Sequence, residues 1–142
     1  MKYVLYYWSR FGHNKKIVEY LGTKLKDNSK DIEILNVEEA EPTKVPNADF
    51  YVFSAPAEAF NVQRNMRKFM KKLRSMDGKK YAIINTHGMN RNWLKKMDKY
   101  LKNTNMEKVA EADLIVKGDG QKEGNALPDD WKEKIDDFSS KL

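Results

Sequence analysis

The sequence predicts an α/β fold: a five-stranded parallel sheet, doubly wound in the strand order 2-1-3-4-5, with helices on both faces. Three observations predict it. Short apolar runs alternate with amphipathic helical stripes along the chain, which is typical of a parallel sheet covered on both sides. Only a short crossover, residues 38–47, separates the second and third strands. Five strands in 142 residues suit this order better than a six-stranded sheet.

Five short runs rich in apolar, β-branched and aromatic residues have no helical period and predict buried strands. They cover residues 3–8, 31–37, 48–54, 80–85 and 112–117. Four stripes of apolar side chains at helical spacing predict the helices between and after them. The stripes are Ile17, Val18, Leu21 and Leu25; Val62, Met66, Phe69, Met70 and Leu73; Trp93, Leu94, Met97, Tyr100 and Leu101; and Trp131, Ile135, Phe138 and Leu142 in a helix opened by Pro128.

The composition excludes several kinds of site. The chain has no cysteine, which removes disulfides, thiolate metal ligands and cysteine nucleophiles, and its two histidines do not indicate a metal centre. No apolar run approaches the ~18 residues of a membrane span, and the chain begins directly with a strand-like run. We therefore expect one cytoplasmic domain over residues 1–142, with no membrane association.

The net charge of +6 is concentrated in one window. Residues 61–80 hold eight basic side chains against Asp77, so the rest of the chain is nearly neutral. Such a patch is typical of binding to nucleic acid, an anionic membrane or an acidic protein, and also of a solvated helix face. No base-reading motif accompanies the patch, which disfavours nucleic acid. The eight residues are Arg64, Arg67, Lys68, Lys71, Lys72, Arg74, Lys79 and Lys80.

The predicted strand order places a ligand site outside the carboxyl ends of strands one and three, where the order reverses. The loop after strand one has a hydroxyl at Ser9, a glycine at Gly12 and a polar Asn14 where a helix starts. Free backbone N–H groups and the helix dipole favour an anion there. An ordinary turn capped by Ser9 or Asn14 explains the same residues. The loop matches neither GxxxxGK[ST] nor GxGxxG.

The motifs at these strand ends resemble those of the flavodoxin family. Residues 7–14, YWSRFGHN, look like the flavodoxin phosphate loop [ST]-x-[ST]-G-x-[ST], and are close to the Ser-x-Tyr-Gly-His variant of flavodoxin-like quinone reductases. Residues 54–56, SAP, resemble the family's Gly-Ser-Pro after strand three, and residues 85–88, NTHG, resemble the loop after strand four. Residues 116–118 and the Pro-Asp helix start that follows are similar to the ending of short flavodoxins. The resemblance covers residues 1–142.

The resemblance implies an FMN site. The phosphate would lie on the backbone N–H groups of residues 10–14, and the Ser9 and Asn14 side chains would add hydrogen bonds. The ring would lie between residues 55–61 and 86–93. No catalytic residue and no metal ligand is implied. The implied cofactor-binding residues are Ser9, Arg10, Phe11, Gly12, His13, Asn14, Ala55, Pro56, Ala57, Glu58, Phe60, Asn61, Thr86, His87, Gly88 and Trp93.

Some residues depart from the family's pattern. Phe11 stands where the family often has a hydroxyl, so one phosphate hydrogen bond of about 0.5–1.5 kcal/mol is absent. Glu58 stands where an aromatic often packs; its charge would repel an anionic reduced flavin and leaves Phe60 or Trp93 to stack. Residues 58–61 contain no glycine, so positive φ there should cost ~1 kcal/mol or more, least at Asn61. We find no carboxylate partner for either histidine.

The resemblance implies an electron carrier that uses FMN to shuttle electrons between redox enzymes. The alternatives are a small flavodoxin-like NAD(P)H:quinone or flavin reductase and a flavin-free binding module. The chain lacks the insertions that build the reductase tetramers, so we expect a monomer. A response regulator shares the strand order, but strand three ends in Ser54 where a phospho-accepting aspartate is needed. Redox partner proteins, acidic in character, are expected to dock near Arg64, Arg67 and Lys71.

Overall fold

The apolar runs of the sequence form a central sheet, and the amphipathic stripes form the helices around it. The computed structural model describes residues 1–88, 91–116 and 127–142. In chain order the elements are β1 (Lys2–Tyr7), α1 (His13–Asp27), β2 (Asp31–Asn36), β3 (Phe50–Glu58), β4 (Asn61–Val62), α2 (Arg64–Lys72), β5 (Lys80–His87), α3 (Leu94–Tyr100), a 3₁₀ turn (Lys102–Thr104), β6 (Glu107–Ile115) and α4 (Trp131–Ser140).

The strand order is β2-β1-β3-β5-β6, with every neighbouring pair parallel. This confirms the predicted order 2-1-3-4-5, because β4 is a two-residue strand that pairs only with β3. In the register of the sheet, Leu5 of β1 lies between Ile34 and Val52. The order reverses beside β1, so the loops that follow β1, β3 and β5 meet at one edge.

Side chains of the central strands alternate between two cores, one on each face of the sheet. On one face α1 and α4 pack against the strands, and Phe138 is fully buried there beside Leu5. On the other face α2 and α3 bury Met97 beside Tyr6. Burial of each such side chain contributes about 1.5–3 kcal/mol. Helices therefore cover both faces of the sheet, as predicted.

Three predicted boundaries were wrong by three residues or more. β3 runs past Ser54 to Glu58, because its last residues pair with β4 in a hairpin. β6 begins at Glu107 and ends at Ile115; it is a half-exposed edge strand whose first half is charged, so the apolar run marked only its second half. Pro128 lies in the turn before α4, where its carbonyl accepts a hydrogen bond from Trp131 N. Residues 117 and 118 of the ending motif lie outside the described residues.

Within the three described ranges, no helix is long and apolar enough to cross a lipid bilayer.

Candidate functional site

A cleft lies at the carboxyl edge, between the loops that follow β1, β3 and β5. Most of the predicted cofactor-binding residues line it: Ser9, Arg10, Phe11, His13, Asn14, Pro56, Ala57, Glu58, Thr86, His87 and Gly88, with Val116 in addition. A second hollow of about 370 Å³ adjoins it and shares four of those residues. That volume lies in the ~300–1,000 Å³ range of small-molecule sites. Its other walls are the predicted Phe60 and Trp93 together with Ala59 and Arg91.

Three of the predicted residues line neither the cleft nor the second hollow. Gly12 contributes backbone only. Ala55 is fully buried, and its carbonyl accepts a 3.1 Å hydrogen bond from Asn85 Nδ2. Asn61 holds the β3–β4 hairpin in place, because its Oδ1 accepts hydrogen bonds from Val62 N at 2.7 Å and from the Tyr100 hydroxyl at 2.8 Å.

The loop after β1 has the geometry of an anion cradle. Gly12 precedes α1 with φ +91°, a left-handed conformation in which a side chain would be strained. No side chain caps the helix, so neither Ser9 nor Asn14 makes the ordinary capped turn considered above. The first N–H groups of a helix have no partner within the helix. In this 15-residue helix they are left available to an anion.

The Asn14 side chain joins the start of α1 to strands β3 and β5 in a buried network. Its Oδ1 accepts a 2.8 Å hydrogen bond from Ser54 Oγ, and its Nδ2 donates one of 3.0 Å to Thr86 Oγ1. All three residues are buried. The role expected for Asn14, a direct bond to phosphate, is therefore limited to its backbone N–H and the second hydrogen of its amide.

Two polar atoms in the cleft walls are buried without a hydrogen-bond partner among the described residues: Ser9 Oγ and His13 Nε2. His13 is only 6% exposed, and burial, followed by the charge of Lys16, lowers the pKa of its imidazole. A buried polar group left without a partner costs about 1–3 kcal/mol. Such atoms beside an anion cradle indicate that a ligand supplies the missing partners.

Arg10 and Glu58 form a bidentate ion pair across the mouth of the cleft. Both Nε and one terminal nitrogen of Arg10 donate 2.7 Å hydrogen bonds to the Glu58 carboxylate. The guanidinium also lies over the Trp8 ring, 5.0 Å from its centroid. The premise that Glu58 presents an uncompensated charge to the flavin was wrong, because Arg10 neutralises that charge. Sequence spacing gave no signal for a pair 48 residues apart.

His87 has a carboxylate partner, contrary to the expectation that neither histidine would have one. Its Nε2 lies 2.6 Å from Asp113 Oδ2, and the imidazole is buried while the carboxylate is half-exposed. His87 lines both the cleft and the second hollow. The sequence signal for this pair was Asp113, an acid within the predicted apolar strand 112–117. The register of that strand against β5 could not be predicted from the sequence.

The tip of the β3–β4 hairpin adopts the positive φ that is expected to be costly within residues 58–61. Ala59 and Phe60 have φ of 50° and 59°. A two-residue loop between antiparallel strands requires this turn, since its twist matches that of the strands. The left-handed region costs about 1–2 kcal/mol per non-glycine residue. The pairing of Glu58 with Asn61, and the bond from Tyr100, hold the strained tip.

Two aromatic side chains flank the second hollow. Phe60 is 78% exposed at the hairpin tip, and the half-buried Trp93 carries the Arg91 guanidinium 4.4 Å above its ring. The Trp93 backbone is fixed because its N–H donates to Asn85 Oδ1 at 2.9 Å. The hollow can therefore take a planar ring between an adjustable aromatic on one side and a fixed one on the other.

Comparisons with known proteins agree with this architecture. The flavodoxin of Streptococcus pneumoniae TIGR4 superposes with a TM-score of 0.80 at 15% identity, covering 100% of this chain and 97% of that one. For oxidised Flavodoxin 1 of Bacillus cereus the TM-score is 0.79 at 13% identity, with 99% and 96% covered. Rubredoxin oxygen:oxidoreductase of Desulfovibrio gigas gives 0.82 at 12% identity, but the match spans only 35% of that longer chain.

A search of curated protein sequences found no match. The structural likenesses, at these identities, establish the fold alone. A family model described as the flavodoxin domain, however, matches residues 4–119, which is most of the sequence. The chain belongs to the flavodoxin family.

Proposed function

We propose that this protein binds FMN at the carboxyl edge of its sheet and carries electrons between redox enzymes. The observation that carries the proposal is the pair of buried, unpartnered atoms, Ser9 Oγ and His13 Nε2, beside the uncapped start of α1. A phosphate has the charge and the oxygen acceptors that this start of a helix favours. The adjoining hollow accommodates the rest of a phosphate-bearing planar cofactor.

Each part of the site has a separate task in this proposal. The N–H groups at the start of α1, with Ser9 and His13, would hold the phosphate. The hairpin tip and Trp93 would position the ring. FMN, when bound, supplies one- and two-electron redox chemistry. The chain itself would contribute orientation, charge and access, and a ring beside the exposed Phe60 would have its edge within reach of a partner protein.

A specific observation also favours a second candidate, a small NAD(P)H:quinone or flavin reductase. His87 lines both hollows with Asp113 hydrogen-bonded behind it, an arrangement that can exchange a proton with a bound substrate. An electron carrier needs no such group. The exposed hairpin tip, which leaves the Phe60 side of the hollow open to solvent, still favours the carrier.

Spectroscopy and turnover separate these functions. The purified protein, supplied with FMN and desalted, should be yellow with bound-flavin absorption bands. Once reduced by dithionite, it should pass electrons to a small one-electron acceptor such as ferricyanide. It should not consume NADPH or NADH with a soluble quinone. A colourless protein would contradict FMN binding altogether, and steady NAD(P)H consumption would establish the reductase instead.

A further inference from the structure

Helix α2 carries five basic residues and no acidic one. Arg64, Lys68, Lys71 and Lys72 are exposed, and Arg67 is half-buried. None of the five forms an ion pair with another described residue. Their charges are therefore not compensated by the part of the molecule that the structure describes.

Helix α3 extends the same positive surface. Lys95 and Lys99 are exposed and Lys96 is half-buried, and none of them forms an ion pair within the described ranges. The one acid of this helix, Asp98, accepts hydrogen bonds from Lys108 and from the Tyr81 hydroxyl, both at 2.8 Å. The Asp98 carboxylate is therefore already engaged by residues outside α3. The outer surface of α2 and α3 is called the α2–α3 basic face below.

The other helical layer of the molecule is balanced. Helices α1 and α4 together carry six basic and five acidic side chains, and two lysines of this layer are paired. Lys24 approaches Asp136 at 3.5 Å, and Lys141 approaches Asp137 at 3.4 Å. The charge asymmetry therefore distinguishes one face of the sheet from the other and is not a general property of the surface.

The α2–α3 basic face adjoins the proposed flavin edge. A shallow hollow walled by the α3 lysines shares Arg91 and Trp93 with the hollow proposed for the ring. The hairpin is tied to α3 by the bond between Asn61 and Tyr100. Its tip presents Phe60 to solvent directly beside the start of α2. Aromatic and arginine side chains are enriched at protein–protein interfaces, and here the exposed Phe60 precedes a helix that contains Arg64 and Arg67.

We propose that the α2–α3 basic face docks an acidic partner protein, whose carboxylates surround an apolar patch that receives Phe60. This inference rests on the proposed function, because electron exchange requires the partner to approach the ring edge closely. Complementary charge would steer the encounter and fix the orientation. The partner's surface is thereby defined chemically: Asp and Glu clustered around a shallow apolar depression.

An acidic protein fits this face better than a bilayer or a nucleic acid. The apolar side of α2 is fully used in the core, where Met66 and Met70 are buried, so no apolar helix face is left to enter a membrane. Single strands of nucleic acid bind to rows of stacking aromatics. Here the rings of Tyr100 and Trp93 are each covered by a cation, Lys71 at 4.9 Å and Arg91 at 4.4 Å.

The test is calorimetric titration of the full chain with a plant-type ferredoxin, used as an acidic, folded probe, at low and at physiological salt. The protein should bind this probe, and added salt should weaken the binding. Basic cytochrome c should not bind. The double variant Arg64→Glu, Lys68→Glu should weaken ferredoxin binding about tenfold or more. The matched control Lys26→Glu, Lys134→Glu, which has the same net charge on the opposite layer, should leave it unchanged.

Equal weakening by the two double variants, or no binding of ferredoxin, would overturn the docking face. Tighter binding to a DNA duplex or to phosphatidylserine vesicles than to ferredoxin would do so as well. The titrations are run with and without FMN. If the chain takes up no FMN but still binds ferredoxin through this face, the proposed function fails and the docking face stands. If FMN binds and ferredoxin does not, only the docking face fails.

Discussion

The Arg10 guanidinium donates two 2.7 Å hydrogen bonds to the Glu58 carboxylate, and this pair bridges the cleft between the loop after β1 and the β3–β4 hairpin. The carboxylate occupies the fork of the guanidinium in the bidentate manner that a phosphate would use. Arg10 therefore has two candidate partners at the site, the Glu58 carboxylate and a bound phosphate. We therefore expect Glu58 to compete with a bound phosphate for Arg10.

Removing that competition should tighten FMN binding. In Glu58→Gln the guanidinium loses its ionic partner and turns to the phosphate, so FMN should bind about three- to tenfold more tightly, a gain of ~0.7–1.4 kcal/mol. Arg10→Gln should weaken FMN binding about tenfold. Riboflavin, which lacks the phosphate, should bind both variants as it binds the parent.

Calorimetry with both flavins measures these affinities. Because Arg10 is half-exposed, either substitution should change the free energy of unfolding by less than about 1 kcal/mol. If Glu58→Gln and Arg10→Gln weakened FMN binding equally, the ion pair would serve only to hold the two loops in place. The proposed competition between Glu58 and the phosphate would then be refuted.

The buried network around Asn14 should be important for stability. Asn14→Ala leaves the buried hydroxyls of Ser54 and Thr86 without their present partner, so the free energy of unfolding should fall by about 2–4 kcal/mol. Urea unfolding followed by far-ultraviolet circular dichroism measures this. Asn47→Ala, at an exposed position, is the control and should cost less than about 0.5 kcal/mol. A loss below about 1 kcal/mol in Asn14→Ala would mean that the network contributes little.

The strained hairpin tip should respond to glycine with a gain in stability. Ala59 has φ 50°, so Ala59→Gly relieves the left-handed strain and should stabilise the fold by about 0.5–1 kcal/mol, after allowing for the greater entropy of glycine in the unfolded chain. Ala57→Gly, two residues earlier in the extended strand, should instead destabilise it by a similar amount. If both changes destabilised equally in urea unfolding, Ala59 would not be strained.

His13 should make the stability of the flavin-free protein depend on pH. Burial, followed by the charge of Lys16, lowers the pKa of folded His13 below its ordinary value near 6.5. As pH falls through ~6.5 the unfolded chain takes up the proton first, so stability decreases until folded His13 is also protonated. Urea unfolding at about pH 7.5 and pH 5.5 should show this decrease. It should be smaller in His13→Gln; an identical decrease in that variant would assign the effect to other groups.

The sequence was sufficient to predict the order of the strands and the edge of the sheet at which the candidate site lies. Alternating apolar runs and helical stripes allow few topologies, and parallel strands bring their carboxyl ends together. The positions of Gly12 and Thr86 follow directly. Gly12 lies in the loop between β1 and α1, and Thr86 lies near the carboxyl end of β5.

The finer contacts of the site could not be predicted. The partner of His87 depends on the register of β6, an edge strand whose charged half carries no apolar signal. The partner of Arg10 depends on how far β3 extends, and that extension follows from pairing with a strand of two residues. The same pairing imposes positive φ on Ala59 against its local preference. In each case tertiary pairing overrides the local pattern.

We propose above all that the start of α1 holds the phosphate of FMN. Calorimetric titration of the flavin-free chain with FMN and with riboflavin tests it most directly. If the phosphate makes two charge-assisted hydrogen bonds at the cradle, FMN should bind with one-to-one stoichiometry and about a hundredfold more tightly than riboflavin, a difference of ~3 kcal/mol. Equal affinities for the two flavins, or no binding of FMN, would contradict the account.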